Sequence, residues 1–218
     1  MFGKLIITRH SLRYDDAAPE LFGSNRNINV VLSNEGVDLC EKKGTELAML
    51  VKDLDVIYVS PFVRVKQTGE LLLKSYYENT YPFVEENHVE IKEMVLLAEG
   101  QNKFPPKFEA DLIVKLETNG MGYPESSQNI AKRCKEVVDN IKKQMHEKPQ
   151  NIMLVTHGII YNHLLKYIYP NYRYNDTTNS GNYIPSCLDL TVLELHGDKF
   201  VPVFSDVENV KKLYEYSK

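Results

Sequence analysis

Cysteine is scarce in this chain: Cys40, Cys134 and Cys187 are widely separated and odd in number. None belongs to a CxxC pair, so neither a disulfide framework nor a zinc knuckle is indicated. None is followed by an arginine six positions later, the spacing required by the loop of a cysteine-based phosphatase, and that class is excluded. Long apolar runs are also missing, and nothing approaches the length needed to cross a bilayer. The apolar stretch before Arg9 is too short for a signal-peptide core. Phe2 stands where N-myristoylation needs glycine, and the terminal YEYSK holds no cysteine for prenylation. The expectation is a soluble, cytoplasmic protein without a membrane partner. An excess of positive charge is lacking too: 26 Lys and Arg face 30 Asp and Glu, a formal net charge of -4. No global field is available to attract nucleic acid, so any anionic substrate must be held by a local cluster of cations. There is no HExxH, Walker loop or GxGxxG, and no internal repeat.

Hydrophobic residues make up 43% of the chain and charged residues 26%, an ordinary globular balance. A length of 218 residues suits one domain over residues 1–218, with residues 79–126 as an insertion or cap. Residues 4–8 (KLIIT), 55–59 (DVIYV) and 151–156 (NIMLVT) are short apolar runs that read as buried strands. Residues 11–33, with Pro19, Gly23 and several Asn, read as loop. Ser33 reads as the N-cap of a helix carrying Val37, Cys40, Gly44, Leu47, Ala48 and Val51 at helical spacing, so Cys40 is a small buried hydrophobe there. Ser60-Pro61 reads as a cap followed by Pro at the first position of a helix bearing Phe62, Val65, Leu72 and Tyr76. Further helices are predicted over residues 126–147, with Cys134 in the apolar stripe, and from His157 to about residue 167. Short strands are predicted near residues 89–91, 188–194 and 199–204. Residues 79–126 are too long for a structureless loop and predict a partly helical insertion over one end of the sheet. The alternation implies an α/β fold, a mainly parallel central sheet with helices on both faces.

Three of the strands end in groups suited to an anion: Arg9-His10, Ser60-Pro61 with Arg64 one turn on, and His157-Gly158. In open α/β sheets ligands bind beyond the carboxyl ends of the strands. Two histidines and at least two arginines would then share a pocket in an acidic protein, and phosphate is the natural occupant between mutually repelling cations. Helix N-termini after Ser60 and His157 would add N–H groups and a favourable dipole. His88, His146, His163 and His196 fit no such pattern and read as surface or packing residues. The tyrosines of residues 167–174 (YIYPNYRY) read as packing ahead of pocket lining, and Lys142-Lys143 as a solvated helix face.

Thr8-Arg9-His10 resembles the Arg-His-Gly signature of the histidine phosphatase superfamily, which includes the cofactor-dependent phosphoglycerate mutases. Leu32-Ser33-Asn34-Glu35-Gly36 resembles its Leu-Thr-x-x-Gly helix start. Ser60-Pro61-Phe62-Val63-Arg64 with Gln67-Thr68 resembles its Ser-Pro-x-x-Arg-x-x-Gln-Thr block, and Val155-Thr156-His157-Gly158 its second His-Gly block. Within the family, Arg9-His10-x-x-Arg13-x-Asp15 is most similar to the branch of the suppressors of T-cell receptor signalling and ecdysteroid-phosphate phosphatase. The resemblance implies a phosphoglycerate mutase-like fold and a phosphomonoester hydrolase of the histidine acid phosphatase type. It implies His10 as the nucleophile, and Arg9, Arg13, Arg64 and His157 around the phosphate. Glu99 is implied as the general acid, with Glu93 second, and no cofactor or metal. A phosphorylated small molecule or a phosphotyrosine-type substrate is implied. The alternatives are a cofactor-dependent phosphoglycerate mutase and an inactive phosphate-binding module. The oligomeric state is left open, a homodimer included. One position departs from the pattern: Ser11 replaces the glycine after the nucleophile, and would strain the site if positive φ were required.

Overall fold

In a computed structural model of the chain, the described residues are 2–21, 29–80, 89–100, 110–121, 125–172 and 185–207. Strands β1 (Lys4–Arg9), β2 (Val56–Val59), β3 (Glu90–Glu93), β4 (Ile152–Thr156), β5 (Leu190–His196) and β6 (Lys199–Ser205) form one sheet in the order β3-β2-β4-β1-β5-β6. The first four strands are mutually parallel, while β5 and β6 run antiparallel at one edge. β5 and β6 meet in a hairpin whose Gly197 has a φ of +56°, a conformation that suits glycine.

Buried strands read as continuous apolar runs because both faces of the sheet are covered. Alternate residues point to opposite sides. Leu5, Ile7, Ile152 and Leu154 join a core with α5 (Ser127–Glu147) and α6 (Gly158–Ile168). Ile6, Ile57, Val59, Met153 and Val155 join another with α2 (Asn34–Leu50) and α3 (Val63–Thr80). Cys40 and Cys134 are buried, one in each core. Tyr169 and Tyr172 are packed in the core on the α5 side.

Two local expectations need correction. The stretch read as loop before Ser33 contains a short helix, α1 (Tyr14–Ala17), and a single 3-10 turn at Pro19–Leu21, because Arg13 folds back onto Asp15. α3 begins at Val63, not at Pro61. Its first N–H is received by the side chain of Asn29, a residue from a distant loop, so Ser60 is not needed as a cap. The strand near residues 89–91 lies at Glu90–Glu93, where all four residues are exposed at the sheet edge. Ser33 does cap α2, its hydroxyl accepting the N–H of Gly36. Within residues 79–126, a 3-10 turn at Val95–Leu97 follows β3, and α4 (Ala110–Thr118) sends Leu112 and Leu116 into the core on the α2 side.

The contact between α2 and α3 depends on Gly44, where an added Cβ would stand 2.5 Å from Cβ of Ser75 and 2.9 Å from the carbonyl of Leu72. Alanine in a helix interior favours folding by about 1 kcal/mol over glycine, but overpacking costs about 1–3 kcal/mol. Gly44→Ala is therefore expected to lower the unfolding free energy by up to about 2 kcal/mol. Urea denaturation checks this, and a stabilised variant would show that the two helices separate freely.

Candidate active site

The parallel register aligns the ends of β1, β4 and β2. Arg9 lies beside Thr156, and Val59 beside Val155. The ladder continues one residue further, with the N–H of His10 on the Thr156 carbonyl at 2.9 Å and that of Ser60 on the Val155 carbonyl at 3.3 Å. His10, Ser60 and His157 are thereby brought to one edge of the sheet, and Arg64 reaches it from the first turn of α3. His10 is 2% exposed, and Ser60, Arg64 and His157 are fully buried. The two imidazoles meet edge to face, their ring centroids 5.4 Å apart.

Hydrogen bonds fix both tautomers. Nδ1 of His10 is 2.8 Å from the carbonyl of Ser11, which can only accept, so this nitrogen carries the proton and Nε2 keeps a lone pair. Nδ1 of His157 is 3.0 Å from a guanidinium nitrogen of Arg64, which can only donate. Nε2–H of His157 is then left to donate to the Ser60 hydroxyl at 2.8 Å. Burial, then the charge of Arg64, pushes both imidazoles well below the ordinary value of 6.5; Arg9 and Arg13 add to the effect at His10. The site therefore holds neutral imidazoles at neutral pH. Burial also draws Arg64 down to about 10, which leaves it charged.

The cations are held in position by their own partners. Arg13 binds Asp15 through two nitrogens, with Nε–Oδ1 at 2.8 Å, and Asp15 is fully buried. Arg9 donates to the Pro185 carbonyl at 2.6 Å, while its Nε is buried with no hydrogen-bond partner among the described residues. Such an orphan donor is costly unless something polar arrives. Arg64 pairs with Glu99. Glu99 also lies 3.5 Å from Nδ1 of His157, and its side chain is 23% exposed, whereas the two imidazoles are buried. Glu93 is directed elsewhere, paired with Lys66 at 2.8 Å and with Lys115. Among the described residues, no group of three or more His, Cys, Asp or Glu side chains is arranged to hold a metal ion.

Ser11 does not adopt the strained conformation that would require glycine, since Leu188 is the only described non-glycine residue with positive φ. Its N–H donates to Thr68 at 3.1 Å and its hydroxyl to the Gly36 carbonyl at 2.7 Å. The histidines outside these motifs are occupied elsewhere. His146 pairs with Asp198, His196 pairs with Glu194 and stacks on Phe2, and His163 is partly buried on α6. His88 lies outside the described residues. Two features were not read from the sequence. Ser60 is a partner of His157 and not a cap. Arg133, on the apolar face of α5, pairs inside the protein with Glu125. A charged residue spaced three and four positions from Ile130 and Val137 was the available signal.

A sequence profile of the histidine phosphatase superfamily (branch 1) matches residues 5–205. No curated protein sequence matches the chain at a significant level. Several solved structures share its fold. YhfR of Bacillus stearothermophilus superposes with a TM-score of 0.64 at 17% identity, covering 95% of this chain and 99% of that one. The ecdysone phosphate phosphatase of Bombix mori, solved with tungstate, gives 0.64 at 16%, covering 93% and 92%. A phosphoglycerate mutase from Bacillus anthracis gives 0.63 at 14%, covering 98% and 96%. Among the described residues no helix is long and apolar enough to cross a membrane.

The buried neutral imidazoles have a consequence for stability. Their folded-state pKa values lie below 6.5, so the unfolded chain binds protons first as pH falls, and stability present above that value is lost below it. Between pH 6.5 and 5.5 each contributes a slope of up to about 1.4 kcal/mol per pH unit. His10→Asn is expected to remove one such increment, measured as unfolding free energy against pH. An unchanged slope would show that His10 titrates normally in the folded protein.

Proposed function

Because the chain belongs to the histidine phosphatase superfamily, branch 1, we propose that it is a phosphomonoester hydrolase working through a phosphohistidine on His10. The observation that carries this reading is the fixed tautomer of His10. A neutral ring, its Nδ1–H anchored on the Ser11 carbonyl, presents a free Nε2 lone pair beside Arg64 and His157.

In the first step Nε2 attacks phosphorus, the bond from phosphorus to the leaving oxygen breaks, and Glu99 as a carboxylic acid gives that oxygen its proton. In the second, the Glu99 carboxylate takes a proton from water, whose oxygen attacks the phosphohistidine. The P–N bond then breaks to release phosphate and restore the lone pair. Arg9, Arg13, Arg64 and His157 are assigned to the equatorial oxygens, where charge spreads in the transition state. The position of Glu99 at the solvent boundary, against Arg64, supports it over Glu93, which serves surface ion pairs. The whole of residues 1–218 is assigned to one domain, with residues 79–126 as the cap that carries Glu99. Specificity for a phosphorylated small molecule or a phosphotyrosine-type group is assigned to that cap and to residues 169–185. A cytoplasmic location fits this reading.

A mutase uses the same nucleophile but must retain the phosphoryl group long enough to return it. The Arg13–Asp15 pair, which fills the segment after His10, favours the hydrolase. His10→Ala is expected to abolish hydrolysis of p-nitrophenyl phosphate, and EDTA to leave the wild-type rate unchanged. Arg64→Met should lower kcat/KM by about 100-fold or more. Retained activity in the His10 variant discards the mechanism. Conversion of 3-phosphoglycerate to 2-phosphoglycerate, dependent on added 2,3-bisphosphoglycerate, would replace hydrolase with mutase. Phosphate binding with no turnover of any phosphoester would leave only a binding module.

A further inference from the structure

Outside the pocket, the segment that carries Glu99 is gripped from two sides. Arg133 on α5 forms a bidentate pair with Glu125, at 2.7 and 2.8 Å, and both side chains are only 6% exposed. The remaining guanidinium nitrogen, Nη1, donates to the carbonyl of Leu96 at 2.6 Å. From β4, the Thr156 hydroxyl donates to the next carbonyl, that of Leu97, at 2.9 Å. Gly100, immediately after Glu99, lies so close to Ile130 of α5 that a Cβ there would collide with its side chain. No hydrogen bond joins any of these side chains to His10 or His157; Thr156 meets His10 only through its backbone carbonyl.

A buried ion pair is a poor source of stability, since desolvating two charges offsets their attraction. What this pair does supply is direction. Glu125 fixes two edges of a rigid guanidinium so that the third nitrogen points at one carbonyl. We propose that Arg133, oriented by Glu125, is a positioning residue that holds Glu99 where it can protonate the leaving oxygen. The inference rests on Glu99 being the general acid. Loosening the clamp then harms the step that needs an acid, and spares phosphate recognition by Arg9, Arg64 and His157.

The test compares two aryl phosphates of similar shape under single-turnover conditions. Phenyl phosphate has a poor leaving group that needs a proton, whereas p-nitrophenyl phosphate has a good one that hardly does. Arg133→Gln is expected to slow release of phenol by about 10–100-fold, to slow release of p-nitrophenol by less than about 3-fold, and to leave KM unchanged. Thr156→Val, which frees the same segment without touching a charge, should shift the two rates in the same unequal way if Arg133→Gln does not fold. Glu99→Gln, run beside them, should show the larger version of this selectivity, and adding Arg133→Gln to it should increase the selectivity no further. Equal losses on both substrates in the Arg133 and Thr156 variants, with selectivity kept in Glu99→Gln, overturn the clamp alone. Equal losses in Glu99→Gln overturn the acid assignment, and the clamp with it.

Discussion

The crowding of cationic groups into a buried space governs the rest of this structure. Arg9, Arg13 and Arg64 all act electrostatically on His10, and Arg64 and Arg9 on His157. Repulsion of that kind is tolerated only where each charge is tied down and where the imidazoles give up their protons. Asp15 takes Arg13, Glu99 takes Arg64, and a backbone carbonyl takes one nitrogen of Arg9. The neutral histidines follow from the same constraint. A protonated imidazole would add a further positive charge in a buried space already shared with arginines, so the electrostatics that suit an anion also keep His10 unprotonated.

The sheet makes such crowding affordable in geometry. Adjacent parallel strands in register deliver three chain segments to one edge, each with its backbone N–H and C=O already paired, so no loop entropy is spent on holding them. Two helices then start at that edge. His157 precedes α6 directly, and α3 brings Arg64 in its first turn after a start fixed by Asn29. The side chain of Ser60, freed from capping, fixes the ring of His157 instead. Ser60, Arg64 and His157 are thus joined at the centre although they come from different parts of the chain.

Glu99 is held by other means. It sits on irregular backbone, where no ladder fixes its position, and its neighbours Leu96, Leu97 and Gly100 are secured by Arg133, Thr156 and Ile130. The proton transfers proposed for Glu99 need both access to solvent and a reproducible position. Partial exposure on a clamped segment provides both, which a site buried as deeply as His10 would not.

The sheet and its helices were legible in the sequence because their signal is local. A buried strand needs four or five apolar β-branched residues in a row, a helix needs an apolar stripe, and both can be read within one window. Arg9, His10, Arg64 and His157 were legible as neighbours for a related reason: Arg9 ends a strand, His10 and His157 directly follow one, and Arg64 lies in the first turn of the helix after another. What the sequence left open or misread was decided by side-chain partners, distant along the chain or, for Arg13 and Asp15, close by. Asn29, and not the adjacent Ser60, caps α3; Arg13 and Asp15 wind a supposed loop into α1; Glu93 and Glu99 look alike in sequence, yet one meets lysines at the sheet edge and the other a buried arginine. Ser11 shows the same limit, since its cost depended on a backbone angle that no residue type specifies. The sequence alone determined which imidazole and guanidinium groups stand at or near the strand ends. Only the tertiary structure decided their protonation states and their partners, because desolvation and charge proximity act through space and leave no trace in residue order.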